Sequence, residues 1–190
     1  MWNSDHLKYI FGSTEETKLI QFKKNIFYNV LILGNYGVGK TTLCSLLTQK
    51  NTRYEYDNYI LNIIFIDSNV EKNAMNSIIS SNRYDSIITQ NIDFIYLCLD
   101  INDDYMDQLN HWITFILFKM YNIPFVIVGC KYDLRNFNSI DVDKMELYAK
   151  DKGAKAYMEC SSKTNYNIEE LVTFTRKMNE KSQKSFCIFI

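Results

Sequence analysis

Gly34-Asn35-Tyr36-Gly37-Val38-Gly39-Lys40-Thr41 matches G-x-x-x-x-G-K-[ST], a spacing whose chemistry is the capture of phosphate. A glycine turn between a strand and a helix aims consecutive main-chain N–H groups and the positive end of a helix dipole at one point. Asn35, Tyr36, Gly37, Val38, Gly39, Lys40, Thr41 and Thr42 form the expected contact set. The Lys40 ammonium reaches the β- and γ-phosphates, and the Thr41 hydroxyl holds Mg²⁺. Both flanks fit this reading: Ile26–Leu33 is apolar and strand-like, and Thr42–Leu47 continues at helical spacing. A chance glycine turn would not come with both.

A phosphate loop leaves the base unspecified. Cys130-Lys131-Tyr132-Asp133-Leu134 follows the apolar run Phe125–Gly129, at the carboxyl end of a strand, where ligands sit in open α/β sheets. A carboxylate at Asp133 accepts two N–H bonds, which suits the adjacent N1–H and N2–H₂ donors of guanine. Adenine offers no such pair, and an unpaired buried carboxylate is costly. After Ala156–Glu159 comes Cys160-Ser161-Ser162-Lys163-Thr164, whose backbone N–H groups are placed to meet the guanine O6. Taken singly, Asp133 reads as a turn aspartate and Lys163 as a solvated loop lysine. The three motifs in this order are hard to explain so.

The elements that must position these groups follow from periodicity. Asn62–Ile66, Phe94–Leu99 and Phe125–Val128 are apolar runs without alternation, as in strands of a parallel sheet covered on both faces. Leu109, Trp112, Ile113, Ile116, Leu117 and Met120 recur at helical spacing, a stripe that reads as core. Ser139–Lys152 and Asn167–Asn179 read as two more helices, with Gly153 just past the first. Ser13 and Glu16 have capping-box spacing ahead of a short helix to Phe22. Strands alternating with helices predict a doubly wound α/β fold. Around Tyr56-Asp57-Asn58-Tyr59 two readings stand: a hairpin of Thr52–Tyr56 against Tyr59–Ile66, or one long strand.

Composition excludes several classes. The 190 residues suit one domain with a real core, and 47% hydrophobic with 23% charged residues is ordinary for a soluble protein. A net charge of −1 offers no electrostatic reason to expect a nucleic-acid partner. Cys44, Cys98, Cys130, Cys160 and Cys187 are scattered without a zinc-like cluster. Cys44, Cys98 and Cys160 lie in apolar helix or strand runs, so they are expected as buried free thiols in a reduced, cytosolic setting. The N-terminus does not read as a signal peptide, and no stretch approaches the length of a membrane span. His6 and His111 lack a base–nucleophile partner and are assigned no catalytic role.

The three motifs together resemble the phosphate, guanine and base-loop motifs of Ras-superfamily small GTPases, with the Rho family nearest. Lys131-Tyr132-Asp133-Leu134-Arg135, Glu159–Thr164 and Tyr56–Tyr59 are similar to the Rho-type T-K-x-D-L-R, E-C-S-A-K/L-T and F-D-N-Y elements. The resemblance implies a P-loop NTPase G-domain with a mostly parallel sheet of about six strands and helices on both faces. It divides the chain into an extension over 1–25, a G-domain over 26–180 and a tail over 181–190. It also implies a monomeric GDP/GTP switch with Mg²⁺, contacting nucleotide through Lys131, Asp133, Leu134, Ser161, Ser162 and Lys163 as well as the phosphate loop. Effector proteins, exchange factors and dissociation inhibitors are the implied partners.

The departures from the family carry information of their own. Tyr36 stands where the family usually has glycine, and should obstruct a catalytic glutamine or an inserted arginine at the γ-phosphate. The family's D-T-A-G-Q reads Asp67-Ser68-Asn69-Val70-Glu71. Asp67, ending an apolar strand, remains the candidate to hold Mg²⁺ through water. Val70 replaces a γ-phosphate-sensing glycine, and Glu71 puts an anion where glutamine would orient water. Hydrolysis at or below the slow intrinsic rate of the family, on the order of 10⁻⁴ s⁻¹, is expected. Only 26 residues (41–66) separate Lys40 from Asp67. Thr52 is the candidate for the threonine that senses Mg²⁺, an ordinary loop residue being the other reading. The stretch 68–91 is longer than the usual second switch, and no extra Rho-type helix is expected between Asp133 and the base loop.

Cys187-Ile188-Phe189-Ile190 fits the C-a-a-X prenylation pattern, with Ser182–Ser185 as an exposed tail and isoleucine favouring geranylgeranyl. An apolar cluster tucked on the domain is the bland reading. One lipid chain anchors only marginally, and Arg176, Lys177, Lys181 and Lys184 form a weak basic region. Peripheral attachment to the cytoplasmic face of the plasma or an internal membrane is expected. Two other functional readings stand beside the switch: a pseudo-GTPase scaffold that binds guanine nucleotide without cycling, and an adenine-specific kinase or ATPase, which Asp133 disfavours.

Overall fold

The computed structural model describes residues 23–68, 91–103 and 106–187, with side chains up to 181. In chain order these form β1 (Lys24–Gly34), α1 (Lys40–Thr48), β2 (Arg53–Glu55), β3 (Tyr59–Asp67), β4 (Phe94–Asp100), α2 (Met106–Lys119), β5 (Phe125–Cys130), α3 (Val142–Asp151), β6 (Tyr157–Glu159) and α4 (Ile168–Cys187). One six-stranded sheet has the order β2-β3-β1-β4-β5-β6. Every pairing is parallel except that of β2 with β3. The alternating α/β reading and the strand count are borne out. The expected helix over Ser13–Phe22, and the stretch 68–91 from residue 69 to 90, lie outside the described residues.

The apolar runs lack alternation because both faces of the sheet are covered. Successive strand side chains point to opposite faces. On one face Leu31, Leu33, Ile95, Leu97, Leu99 and Ile127 pack with Trp112, Ile113 and Ile116 of α2 and Met145 and Ala149 of α3. On the other, Val30, Ile32, Phe94, Val126 and Val128 pack with Leu43 and Leu47 of α1 and Ile168, Leu171 and Val172 of α4. Tyr96 brings a hydroxyl into this second layer, and burial there is affordable because the group is bonded: it donates to the Leu171 carbonyl at 3.0 Å and meets Thr175 Oγ1 at 2.5 Å.

The hairpin reading holds over the single-strand one. Tyr54 pairs antiparallel with Leu61, Tyr56 N donates to the Tyr59 carbonyl at 2.9 Å, and the two tyrosine rings stack at 4.5 Å. Helix α3 starts later than Ser139 because Asp141 caps it, its carboxylate accepting from Lys144 N at 3.2 Å. It ends as expected at Gly153 (φ 81°), where Gly153 N bonds the Lys150 carbonyl and Ala154 N the Ala149 carbonyl.

The last helix corrects the sequence reading. It was expected to end at Asn179 with a tail beyond, and it runs to Cys187. Glu180 through Phe186 contain neither glycine nor proline, so nothing in the chain stops propagation. Among the described residues no helix is long and apolar enough to cross a membrane.

The carboxyl ends of β1, β3, β4 and β5 rise together at one edge of the sheet. Ile32 pairs with Asp67, Gly34 with Cys98, and Asp100 with Cys130. Gly34 is the tightest point: its φ is 136°, and a Cβ there would stand 2.1 Å from the Cys98 carbonyl oxygen. Gly34→Ala should therefore force β1 and β4 apart and lower stability by about 3 kcal/mol. Urea unfolding checks this, and an unchanged midpoint would refute it.

Candidate nucleotide-binding site

At the end of β1 the chain turns through Gly37 (φ 82°) and Gly39 (φ 106°), conformations that L side chains rarely adopt. Gly39 then caps α1, its carbonyl accepting from Leu43 N at 2.9 Å. Val38 is buried beneath the turn, while Tyr36 at its crest is 62% exposed. Lys40 opens the helix and is only 6% exposed. Its ammonium donates to the Asn35 carbonyl at 2.6 Å. Burial lowers its pKa from the ordinary lysine value, with the buried Cys98 thiol and the Asp67 carboxylate nearby opposing the shift. A phosphate in the turn would add a direct counter-charge to this ammonium, which donates to the neutral Asn35 carbonyl.

Thr41 and Asp67, 26 positions apart in sequence, are brought together: the Thr41 hydroxyl donates to the Asp67 carboxylate at 2.5 Å. Two hard oxygen donors beside a phosphate loop fit Mg²⁺, which keeps several waters and takes few protein ligands. Among the described residues no group of three His, Cys, Asp or Glu side chains could hold a metal, so phosphate and water would complete the shell. Thr52 is not brought to this pair. Its carbonyl accepts from Ile63 N at 2.8 Å, about 13 Å down β3 from Asp67. Glu71 and Val70 lie outside the described residues, and of Cys187 only the backbone is described.

The second motif begins where β5 ends. Lys131 takes a left-handed conformation (φ 65°), and Tyr132–Leu134 form one tight 3₁₀ turn closed by Leu134 N on the Lys131 carbonyl at 2.9 Å. The Lys131 ammonium pairs with Asp100 at the end of β4, 2.7 Å away. Asp133 accepts from Ser161 Oγ at 2.6 Å, and the Lys163 ammonium stands 3.7 Å from its other oxygen. The Ser161 bond, more than the lysine, holds its carboxyl below the usual carboxylate range. Asp133 is therefore ionised at neutral pH, as an acceptor of two N–H bonds must be. Leu134 is exposed beside it.

The base loop is held from beneath. Arg135 binds the Glu159 carboxylate with two nitrogens and also reaches the Ile140 carbonyl at 3.1 Å. The Tyr157 hydroxyl adds a bond to Glu159 at 2.7 Å. Asn167 donates to the Glu159 carbonyl at 2.9 Å, Ser161 N donates to the Tyr166 carbonyl, and the Tyr132 and Tyr166 rings stack at 4.0 Å. Ser162 is half-buried and Lys163 exposed on this platform.

Sequence reasoning missed three participants. Asp100 carried one signal, a carboxylate at the carboxyl end of a strand. The Arg135–Glu159 bridge joins two motifs that were read separately. Trp112, read as core, is core, yet its indole N–H also donates to Asn35 Oδ1 in the phosphate loop at 2.8 Å. Cys98 and Cys160 are buried free thiols as expected and Cys130 is buried with them, while Cys44, expected to be buried, is half-buried.

Comparison with known proteins agrees with this geometry. Residues 29–180 match the family model described as the Ras family. The chain is 26% identical to the Ras-related protein Rab-7a of Dictyostelium discoideum, over 78% of this chain and 80% of that protein. It is 27% identical to the GTP-binding protein rho3 of Schizosaccharomyces pombe, over 80% and 82% of the two chains. With the GTP-binding protein yptV5 of Volvox carteri the identity is 28% over 86% and 89%. Rab, Rho and Ypt names at such similar identity do not single out a branch.

The Ser161–Asp133 bond generates a titration test. A carboxyl depressed in the folded state contributes stability above its unfolded pKa, and that contribution is lost as pH falls through the folded value. Ser161→Ala removes the largest cause of the depression, so the Asp133 titration midpoint should rise toward the ordinary carboxylate value. Carboxyl ¹³C NMR of the nucleotide-free protein reads it; an unmoved midpoint would assign the depression elsewhere.

Proposed function

The chain belongs to the Ras family of small GTPases, which bind guanine nucleotide and hydrolyse GTP, and from that premise we propose that it is a Rho-type GDP/GTP switch with slow turnover. The observation that carries the reading is the convergence of Lys40, the Thr41–Asp67 pair and Asp133 on the carboxyl ends of neighbouring parallel strands. In this reading the amides from Asn35 to Thr42 cradle the phosphates and Lys40 neutralises the β/γ oxygens. Asp133 accepts from guanine N1–H and N2–H₂, the Ser161–Lys163 loop faces O6, and Lys131 and Leu134 flank the base. When bound, Mg²⁺ neutralises charge developing on the phosphates; Thr41, and Asp67 through water, would hold it.

The Rho-type assignment draws on Tyr56–Tyr59, Lys131–Arg135 and Glu159–Thr164. Two of those elements are tied by Arg135 and Glu159, and the third closes the hairpin turn. Slow turnover is favoured by Tyr36, whose exposed ring rises from the loop where a catalytic side chain or an activator's arginine would enter. Glu71 and Val70 argue the same way from their chemistry. A scaffold that binds nucleotide without cycling is the second reading, favoured by the same Tyr36. The expected partners are effectors, exchange factors and dissociation inhibitors, with the protein a monomer in the cytoplasm or peripheral on a membrane. Purified protein should carry GDP or GTP and reject adenine nucleotides. In single turnover it should cleave GTP at or below about 10⁻⁴ s⁻¹, with Tyr36→Gly faster. Fast cleavage by the wild type would overturn slow turnover, and equal affinity for ATP would overturn the base assignment.

Membrane attachment is proposed through a prenyl group on Cys187, aided by the weak basic region of Arg176, Lys177, Lys181 and Lys184. With α4 running to Cys187, modification would require its last turn to open to the enzyme. Because one chain binds membranes marginally, Cys187→Ser should move the protein from the membrane to the soluble fraction; unchanged partition would sink the proposal.

A further inference from the structure

We propose that Trp112 is a positioning residue for the phosphate loop, its indole N–H holding the Asn35 side chain and thereby setting the carbonyl that receives Lys40. The inference rests on the reading of Gly34–Thr41 as a nucleotide-phosphate site. Two bonds share one residue: Trp112 Nε1 donates to Asn35 Oδ1 at 2.8 Å, and Lys40 Nζ donates to the Asn35 main-chain carbonyl at 2.6 Å. An indole nitrogen is a donor only, so the carboxamide must turn its oxygen toward α2.

The two ends of this relay differ in stiffness. Trp112 is 2% exposed, wedged in the layer with Leu97, Leu99 and Ile116, with Phe115 edge-on at 5.8 Å. A buried indole in that setting has little freedom and needs a partner for its N–H. The loop is the opposite case. Gly34, Gly37 and Gly39 all take positive φ, so the segment is made of the residues with the most backbone entropy to lose. Asn35 is the tether from that segment to a rigid helix. Binding a phosphate with main-chain amides rewards a loop that is already in shape. A buried ammonium likewise needs its carbonyl partner fixed until phosphate arrives. The tryptophan therefore serves a site that its ring does not touch.

Phenylalanine at 112 keeps most of the ring volume and removes only the donor. The test is the dissociation rate of fluorescently labelled GDP from the full chain with Mg²⁺, for wild type, Trp112→Phe, Asn35→Ala and the double variant. Each single variant should release GDP about three- to tenfold faster, the worth of one neutral hydrogen bond. The double variant should be no faster than the faster single one, because both cut the same link. A wild-type rate in either single variant, or effects that multiply, overturns the inference; a purely packing role for Trp112 predicts multiplication. Should Trp112→Phe not fold, Asn35→Ala is read instead by its GDP release and by the Trp112 indole proton, whose NMR signal must move upfield as the bond is lost. An unmoved signal or a wild-type rate then overturns it. Wild-type protein that holds no guanine nucleotide would instead defeat the functional reading itself.

Discussion

The close approach of Gly34 to the Cys98 carbonyl decides where everything else can sit. A Cβ at that point would lie 2.1 Å from the oxygen, well inside van der Waals contact distance, so β1 can stay paired with β4 to its last residue only with glycine there. Because it does, β1 stays paired up to Gly34 opposite Cys98, two residues before β4 ends at Asp100, and hands the chain straight to the phosphate turn. The parallel register then carries Asp67, Asp100 and Cys130 to the same edge. A looser junction would leave the motifs intact in sequence and scattered in space.

Charge is organised around that edge by pairing within the protein. Each ionic group has a fixed neighbour: Lys40 on the Asn35 carbonyl, Lys131 on Asp100, Asp133 on Ser161 and Lys163, Arg135 on Glu159. Leaving any of these half-buried groups unpaired would cost more than the bond itself contributes. The pairs also point the side chains before a ligand arrives, which matters because a preorganised donor loses little entropy on binding. Among the described residues Arg135–Glu159 is the least exposed of the ion pairs. It acts structurally, holding the turn after β5 against the loop after β6.

Much of the fold was legible because the chain is locally consistent. Unbroken apolar runs marked strands covered on both faces, and the stripe from Leu109 to Met120 marked α2. Gly153 marked a helix end that the structure closes with the two expected bonds. Boundaries were less legible: the start of α3 is set by the Asp141 cap rather than at Ser139, and the end of α4 depended on the absence of any breaker after Asn179. The hairpin after α1 stayed ambiguous because its turn, Tyr56–Tyr59, lacks the glycine that usually marks one; ring stacking and a single bond close it instead.

By itself the sequence determined the chemistry: a glycine turn with one ammonium and one hydroxyl for phosphate, and a carboxylate with the right neighbours for a purine. Those are properties of residue type and short-range spacing, which survive without coordinates. Only the tertiary structure decided the partnerships across distance: that Thr41 meets Asp67, that Thr52 does not, that Asp100 takes Lys131, and that Trp112 reaches Asn35. Each of these depends on strand register and helix docking. Both are set by how the two buried layers pack, which no local pattern encodes.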